Sequence, residues 1–373
     1  MIRFRLLLLN EFKLFRATVP IHLIAILQPT LLYLLMGLVL VSPTFDMTVA
    51  RPATPETAAQ VEALVVAMRQ VGSPIGLPYI HPILVDAQPQ GTMRQIVTVE
   101  DRDGVLTAVQ RYGLIDSNLV KNFRNRLTAA GLRLWNEGLG RRGVLVEEHP
   151  WLPRDLPYTL YFGVALLPMV VCIAASLLGG VGTAIDFEFG TITEYRLAPA
   201  SPALILAARL VRLVLTALVS AGILLAAIGL STGVWPQASP QLVALPLVAA
   251  ILLPIAVIAG CLGIIAGLTL RRTIPTFVVG LTASLGGWLL GDVFGLAAGF
   301  GDAYRAVSRL TPNAHAVELL FQPYYGVTVA APAISALILA LFSGGMVLLT
   351  VVAYRRVVIR PVGDHRRQRR PRP

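Results

Sequence analysis

Residues 157–185 read PYTLYFGVALLPMVVCIAASLLGGVGTAI, with no Asp, Glu, Lys, Arg or His. As a helix, such a run exceeds the roughly 20 residues that cross a bilayer core of about 30 Å. Strand alternation is absent, and a helix satisfies its own backbone in lipid, so a barrel strand is excluded. Five further apolar blocks lie outside it, at 20–42, 203–230, 242–270, 274–296 and 333–354. Pro168, Gly179, Gly180, Gly182, Pro254, Gly286 and Gly287 fall inside the blocks, as membrane helices tolerate. Over 373 residues, 55% are apolar and 14% charged, with mean hydropathy +0.72. Soluble domains average about 25% charged, so an ordinary cytosolic enzyme and a secreted disulfide scaffold are both excluded. Cys172 and Cys261 both sit in apolar runs and say nothing of redox compartment. The first block is too long for a signal peptide and shows no small-x-small cleavage site before Pro43.

Charge placement orients the blocks. The net charge is +11, and the only lysines are Lys13 and Lys121. Segment 1–19 carries Arg3, Arg5, Lys13 and Arg16 against Glu11, and tail 355–373 carries eight arginines against Asp364. Arg271 and Arg272 fall between blocks four and five, while 231–241 is uncharged. With both termini inside, the cytoplasmic side holds 17 basic and 5 acidic residues, and 43–156 outside holds 12 of each. Segment 292–332 adds two basic and three acidic residues outside. The excess therefore lies on one side, as the positive-inside bias expects. This predicts a multi-pass protein of the cell membrane with both termini cytoplasmic. It also makes the arginines a topology signal and a contact for membrane lipid, not for nucleic acid.

Segment 43–156 is soluble in composition and long enough for a small domain. Thr54-Pro55-Glu56 opens a helix running to about Val71. Ile96–Val99 and Val105–Val109 alternate as two strands around Asp103-Gly104, a hairpin signal. From Asp116-Ser117 a helix runs to about Leu139, with Val120, Phe123, Leu127, Ala130 and Leu134 on one stripe. Lys121, Arg124, Arg126 and Arg133 are assigned to its solvated face. His81 and His149 are too far apart, and without a motif, to mark a metal site.

No phosphate-binding loop and no zinc-protease motif occurs. Gly179-Gly180-Val181-Gly182 follows no strand and reads as close helix packing. Ion-driven transporters commonly keep charged residues inside their spans. Here the interiors 158–185, 213–230, 243–270 and 274–291 hold no ionisable group beyond Cys and Tyr. His22, Arg209, Arg212 and Asp292 are placed near span ends, where snorkelling is cheap. A pump so built needs energy from a separate ATPase.

Residues 186–202 read DFEFGTITEYRLAPASP. This resembles the first cytoplasmic loop of type 2 ABC exporter permeases: an acid, Gly-Thr, a second acid, a leucine and Pro-x-Ser in close order. Glu188, Gly190, Thr191, Glu194, Leu197, Pro199 and Ser201 match, and Arg209 stands where the family has a basic residue opening its third helix. Glu194 is one residue further from Gly-Thr than usual, and Asp186 replaces a Glu. One helix, a large extracytoplasmic domain, then five helices is similar to one branch of the family. So are the basic amphipathic segment 1–19, with Phe4, Leu8, Phe12 and Phe15, and the outward re-entrant segment 297–332.

The resemblance implies an α-helical polytopic membrane protein of six spans with an inserted α/β domain. Its function would be the permease subunit of an ATP-driven exporter of a drug, lipid or polysaccharide. No cofactor is expected on this chain, with ATP and Mg on two partner ABC ATPase subunits and no catalytic residue here. A second permease, identical or a paralogue, would complete a dimer, with a path between the two copies lined by spans two and five. The coupling segment would include Glu188, Gly190, Thr191, Glu194, Arg196, Leu197 and Pro199, with Arg271 and Arg272 in a second loop. Physically, Glu188 and Glu194 suit a helix N-terminus, Gly190 allows a sharp path and Pro199 stops a helix. An ion-coupled secondary transporter and a membrane-anchored receptor or enzyme are the alternatives.

Overall fold

The computed structural model describes residues 2–17, 19–39, 45–51, 55–72, 78–85, 95–102, 105–112, 117–139, 158–236, 244–291, 302–325 and 331–359. In chain order its elements begin α1 (Ile2–Ala17), α2 (Val19–Val39), β1 (Phe45–Ala50), α3 (Pro55–Gln70), β2 (Ile80–Val85), β3 (Gln95–Arg102), β4 (Val105–Tyr112) and α4 (Ser117–Leu139). They continue as α5 (Tyr158–Glu188), α6 (Ile192–Leu197), α7 (Pro202–Thr232), α8 (Ala244–Leu270), α9 (Thr273–Leu289), α10 (Asp302–Arg309), α11 (Pro312–Tyr325) and α12 (Pro332–Tyr354). A π turn, Arg355–Ile359, extends α12. Two compact units result: Leu40–Tyr158, and Met1–Val39 with Thr159–Pro373.

In the unit Leu40–Tyr158, four strands pair in the order β2-β1-β3-β4. β1 runs parallel to β2 and β3, and β3 is antiparallel to β4 from Gln95 opposite Tyr112 to Arg102 opposite Val105. The expected hairpin is therefore present, although its Asp103-Gly104 turn lies outside the described residues. Met47, Val49, Ile80 and Val97 pack beneath Val61, Leu64, Val65 and Met68 of α3 and Ala130 of α4. The expected stripe holds at Leu127, Ala130 and Leu134; the Val120, Phe123 and Lys121 side chains and His149 lie outside the described residues. Arg126 departs from its assignment to the solvated face. It is half-buried, its guanidinium lies 5.1 Å over the Tyr79 ring and it donates to the Tyr79 carbonyl. Burial pushes its pKa down. Four residues before Ala130, it shares the packed edge of α4. β1 and β2 were not anticipated. Met47 and Val49 alternate with Asp46 and Thr48, while Pro82 hides β2, whose edge position tolerates a missing N–H.

In the other unit, α2, α5, α7, α8 and α12 are long and apolar enough to cross a membrane. The chain is thus a helical polytopic membrane protein. The remaining block forms α9, only 17 residues, or about 25 Å at 1.5 Å per residue. It turns at Leu290–Gly291, and 292–296, including Asp292, lie outside the described residues. Segment 297–332 contributes the short helices α10 and α11. The tail beyond Ile359 also lies outside the described residues.

α5 is the axis of this unit: its apolar window is wholly buried by helices of the same chain. Within the single chain, span two is therefore enclosed. Against α8, the Gly179-Gly180 pair does pack closely. A methyl built on Gly263 would overlap the Ser176 carbonyl oxygen, and one on Gly267 would lie 2.5 Å from that of Gly180. α7 begins cleanly, with Pro202 in its first turn and Ser201 Oγ accepting from Leu204 N at 3.3 Å. It ends at Gly233, whose φ of +70° closes the cap. Tyr33 and Ser231, 2.6 Å apart, tie α2 to α7.

Candidate functional site: a coupling segment over a buried ionic node

The segment between α5 and α7 is a compact turn around α6. Gly190 adopts φ +76°, a conformation open to glycine at no steric cost, and reverses the chain after α5. Thr191 does not cap α6 with its side chain; its hydroxyl donates to Asp186 Oδ1 at 3.0 Å. Glu194 lies exposed in the first turn of α6, and Arg196 Nη2 reaches the Val357 carbonyl at 3.5 Å. Pro199 follows the extended residue Ala198, and Ser201 starts α7.

Glu188 sits at the end of α5, not at the start of α6. Its carboxylate accepts from Thr273 N at 2.8 Å and Thr273 Oγ1 at 2.5 Å, so it caps α9. Arg271, at φ +55°, places its guanidinium 5.2 Å over the Phe187 ring. Arg272 is the extended, exposed residue just before α9. The two expected loops thus form one structure. Three large apolar side chains stand out from it: Phe189, Leu197 and Ile274 are 78%, 81% and 79% exposed.

Beneath this surface lies a charged cluster that the sequence analysis missed. Arg209 and Arg212 are buried, not snorkelling, and so are Glu11 and His22. Arg209 bonds Asp186 Oδ2 at 2.6 Å, Thr183 Oγ1 at 3.1 Å, Glu11 Oε1 at 3.2 Å and Tyr195 OH at 3.3 Å. Arg212 pairs with Glu11 Oε2 at 3.1 Å and donates to His22 Nε2 at 3.1 Å. Two arginines balance two carboxylates, as buried charges require. Burial pushes the Tyr195 hydroxyl up to about 12, against the opposing pull of Arg209. A cavity of about 70 Å³ adjoins the cluster, lined by Ile21, His22, Gly182 and Arg212 among others.

The node joins α1, α2, α5, α6 and α7. Its signal was present in the sequence. Glu11 falls seven residues after Phe4 and four after Leu7, on the inward stripe of α1, and only a buried cation makes that placement affordable. The Phe4–Leu8–Phe12 stripe is not itself the packed face: Phe12 is exposed, and Leu7 joins the core. The Phe15 side chain lies outside the described residues.

Chemically, the arrangement can hold a short helix rigidly and pass its displacement to α1, α5 and α7. Among the described residues, no three His, Cys, Asp or Glu are grouped to hold a metal. Neither a protein-family model nor a curated protein matches the chain.

Proposed function

We propose that the chain is the permease subunit of an ATP-driven exporter of the type 2 ABC class, in the cell membrane. In this reading α9 is the sixth span, both termini and the loops around α6 and Arg271–Arg272 are cytoplasmic, and 43–156 is an inserted α/β domain outside. It works with a second permease, identical or a paralogue, and with two ATPase subunits that carry ATP and Mg. The observation that carries this reading is the 186–202 segment. It pairs the family-like sequence with a short helix clamped from below by Arg209. It also presents Phe189 and Leu197, almost fully exposed, beyond the ends of two long helices. Large apolar side chains ringed by charge are what a docked subunit buries. Movement of that subunit is then transmitted through Asp186 and Arg209 to α5, α7 and α1.

The test is a photoreactive residue at Leu197 in the full chain, expressed in its native membrane. Cross-linking to a subunit bearing a Gly-x-x-x-x-Gly-Lys-Ser/Thr loop, identified by mass spectrometry, is the expected result. Substrate uptake by the chain alone in proteoliposomes under a proton or sodium gradient would overturn the reading.

A further inference from the structure

Where α10, α11 and α12 meet, three side chains share two short contacts. His315 Nδ1 lies 3.2 Å from Ser335 Oγ, and Ser335 Oγ lies 2.9 Å from Glu318 Oε2. The far side of the ring, Nε2, lies 3.0 Å from the carbonyl oxygen of Arg309, the last residue of α10. His315 and Glu318 are three residues apart on α11 and so share a face. Ser335, 4% exposed, lies in the first turn of α12. His315 and Glu318 are half-buried, so the group reaches water at its rim. It belongs neither to the coupling segment nor to the ionic node.

Counting hydrogens fixes how many protons the group holds. A carbonyl oxygen only accepts, so Nε2 carries a hydrogen. Turning the ring over would set carbon atoms against both partners, which fixes its orientation. Each of the other two contacts, Nδ1 to Oγ and Oγ to Oε2, needs one hydrogen between its atoms. The serine hydroxyl has a single hydrogen and fills only one of them. If it donates to Glu318, Nδ1 must be protonated and the ring is an imidazolium. If it donates to Nδ1, Glu318 must be a carboxylic acid. Either way the group holds one proton more than a neutral histidine beside a carboxylate. Without that proton one contact sets lone pair against lone pair at a nearly buried serine, where an unmet polar atom is costly.

We infer that His315, Ser335 and Glu318 form a binding site for one exchangeable proton, and that this proton latches α10 and α11 to α12. Histidine is the side chain suited to exchanging a proton in the physiological range. The latch is complete with the proton bound and loses a contact as pH rises. The helices α8, α9 and α12 pack on α11 and contain no Asp, Glu, Lys, Arg or His. From α5, Cys172 meets Asn313 and Tyr161 meets Tyr325. The sequence of α10 holds Asp302, Arg305 and Arg309, and Arg309 offers its backbone to the ring while its side chain is exposed. In the orientation proposed above, the latch answers to external pH. The site itself depends on neither that orientation nor ATP.

Local hydrogen exchange on the full chain in lipid nanodiscs tests it, with rates corrected for the intrinsic pH dependence of amide exchange. Between about pH 5.5 and about pH 8.5, the wild-type amides of Ala316–Leu320 should lose about fivefold in protection, the equivalent of one ordinary hydrogen bond. Those of Gly260–Gly267 in α8 should keep theirs. Glu318→Gln supplies the missing hydrogen permanently: its amide donates to Ser335, whose hydroxyl then donates to Nδ1. Protection in this variant should stay at the wild-type acid level at both pH values. His315→Gln does the same from the other end, its amide donating to Ser335 and leaving the hydroxyl for Glu318, and serves if the first variant folds poorly. Wild-type protection that is flat over this range would overturn the proton site. So would a loss that both amide variants share.

Discussion

The two sides of α5 are built on opposite terms. Toward α8, Gly179 and Gly180 meet Gly260, Gly263 and Gly267, and backbone lies on backbone. Toward α9, Ser176 and Ser284 meet through their hydroxyls, and Thr276 packs its methyl on Gly180 with no partner for its hydroxyl among the described residues. Lipid offers no hydrophobic drive between helices, so close dispersion contact is what makes an interface permanent. A hydroxyl pair can exchange its partner for water or a ligand. One side is held by backbone contact and the other by hydrogen bonds.

The contrast breaks most violently at Gly263. A β-branched side chain there meets the Ser176 carbonyl carbon at 2.8 Å and Gly180 N at 2.9 Å, both fixed backbone. Gly263→Val should cost 3 kcal/mol or more, about the top of the range for overpacking. Size-exclusion chromatography after stepwise heating in detergent should show little folded chain. On the other side, Gly280→Ala meets the end of the Leu177 side chain at 3.3 Å and the Ser176 carbonyl at an ordinary 3.8 Å, and should leave the profile unchanged.

Comparable in size is the effect at the node beneath α6. Arg209→Leu leaves Glu11 and Asp186 buried without their shared cation, a loss of about 3–5 kcal/mol. Arg209→Lys should recover only part of this, because one ammonium cannot reproduce a fork that bonds four residues. Thermal midpoints in detergent should rank wild type, then Lys, then Leu; equal midpoints would show that the node is not a clamp.

The outer features of the fold were readable because they follow from solvent. Apolar length announced α2, α5, α7, α8 and α12, and period-two alternation with Asp-Gly announced β3 and β4. The Gly179-Gly180 reading also held, since small residues in lipid have few other uses. The node escaped because each member was judged alone: Glu11 as part of a basic tail, Arg209 and Arg212 as boundary residues. A buried charge is legible only as a pair, and its partners here are as far as 198 residues apart. Glu188 escaped in a similar way. Its position at the end of α5 is local, but the helix it caps begins 85 residues later.

That cap is the next lever on the α9 side. Glu188 accepts both the backbone N–H and the hydroxyl of Thr273, an N-terminal capping contact. Glu188→Ala should remove it and loosen the first turn of α9, leaving the α8 contact intact. Hydrogen exchange should quicken at the amides of Thr273–Thr276 and not at Gly260–Gly267. Equal protection in both segments would mean that α9 is held by its contacts with α5 alone.

The smallest expected effect decides whether the α5–α9 contact only glues or also parts. Ser176 and Ser284 share one hydrogen bond of 2.7 Å in the middle of α5's polar edge. Interhelical bonds of this kind contribute about 0.6 kcal/mol on average in membranes, because the separated helices find other partners. Ser176→Ala, Ser284→Ala and the double variant form a cycle whose coupling energy should be close to that value. Ser176 also reaches the Gly280 carbonyl at 3.4 Å, so Ser176→Ala should cost slightly more than Ser284→Ala. The sign in function is the sharper readout. If the α5–α9 contact must part for transport, removing the bond lowers the cost of opening, and export by the double variant should hold or rise while thermal stability falls. Export that falls together with thermal stability would mean that the hydroxyl pair only holds two helices together.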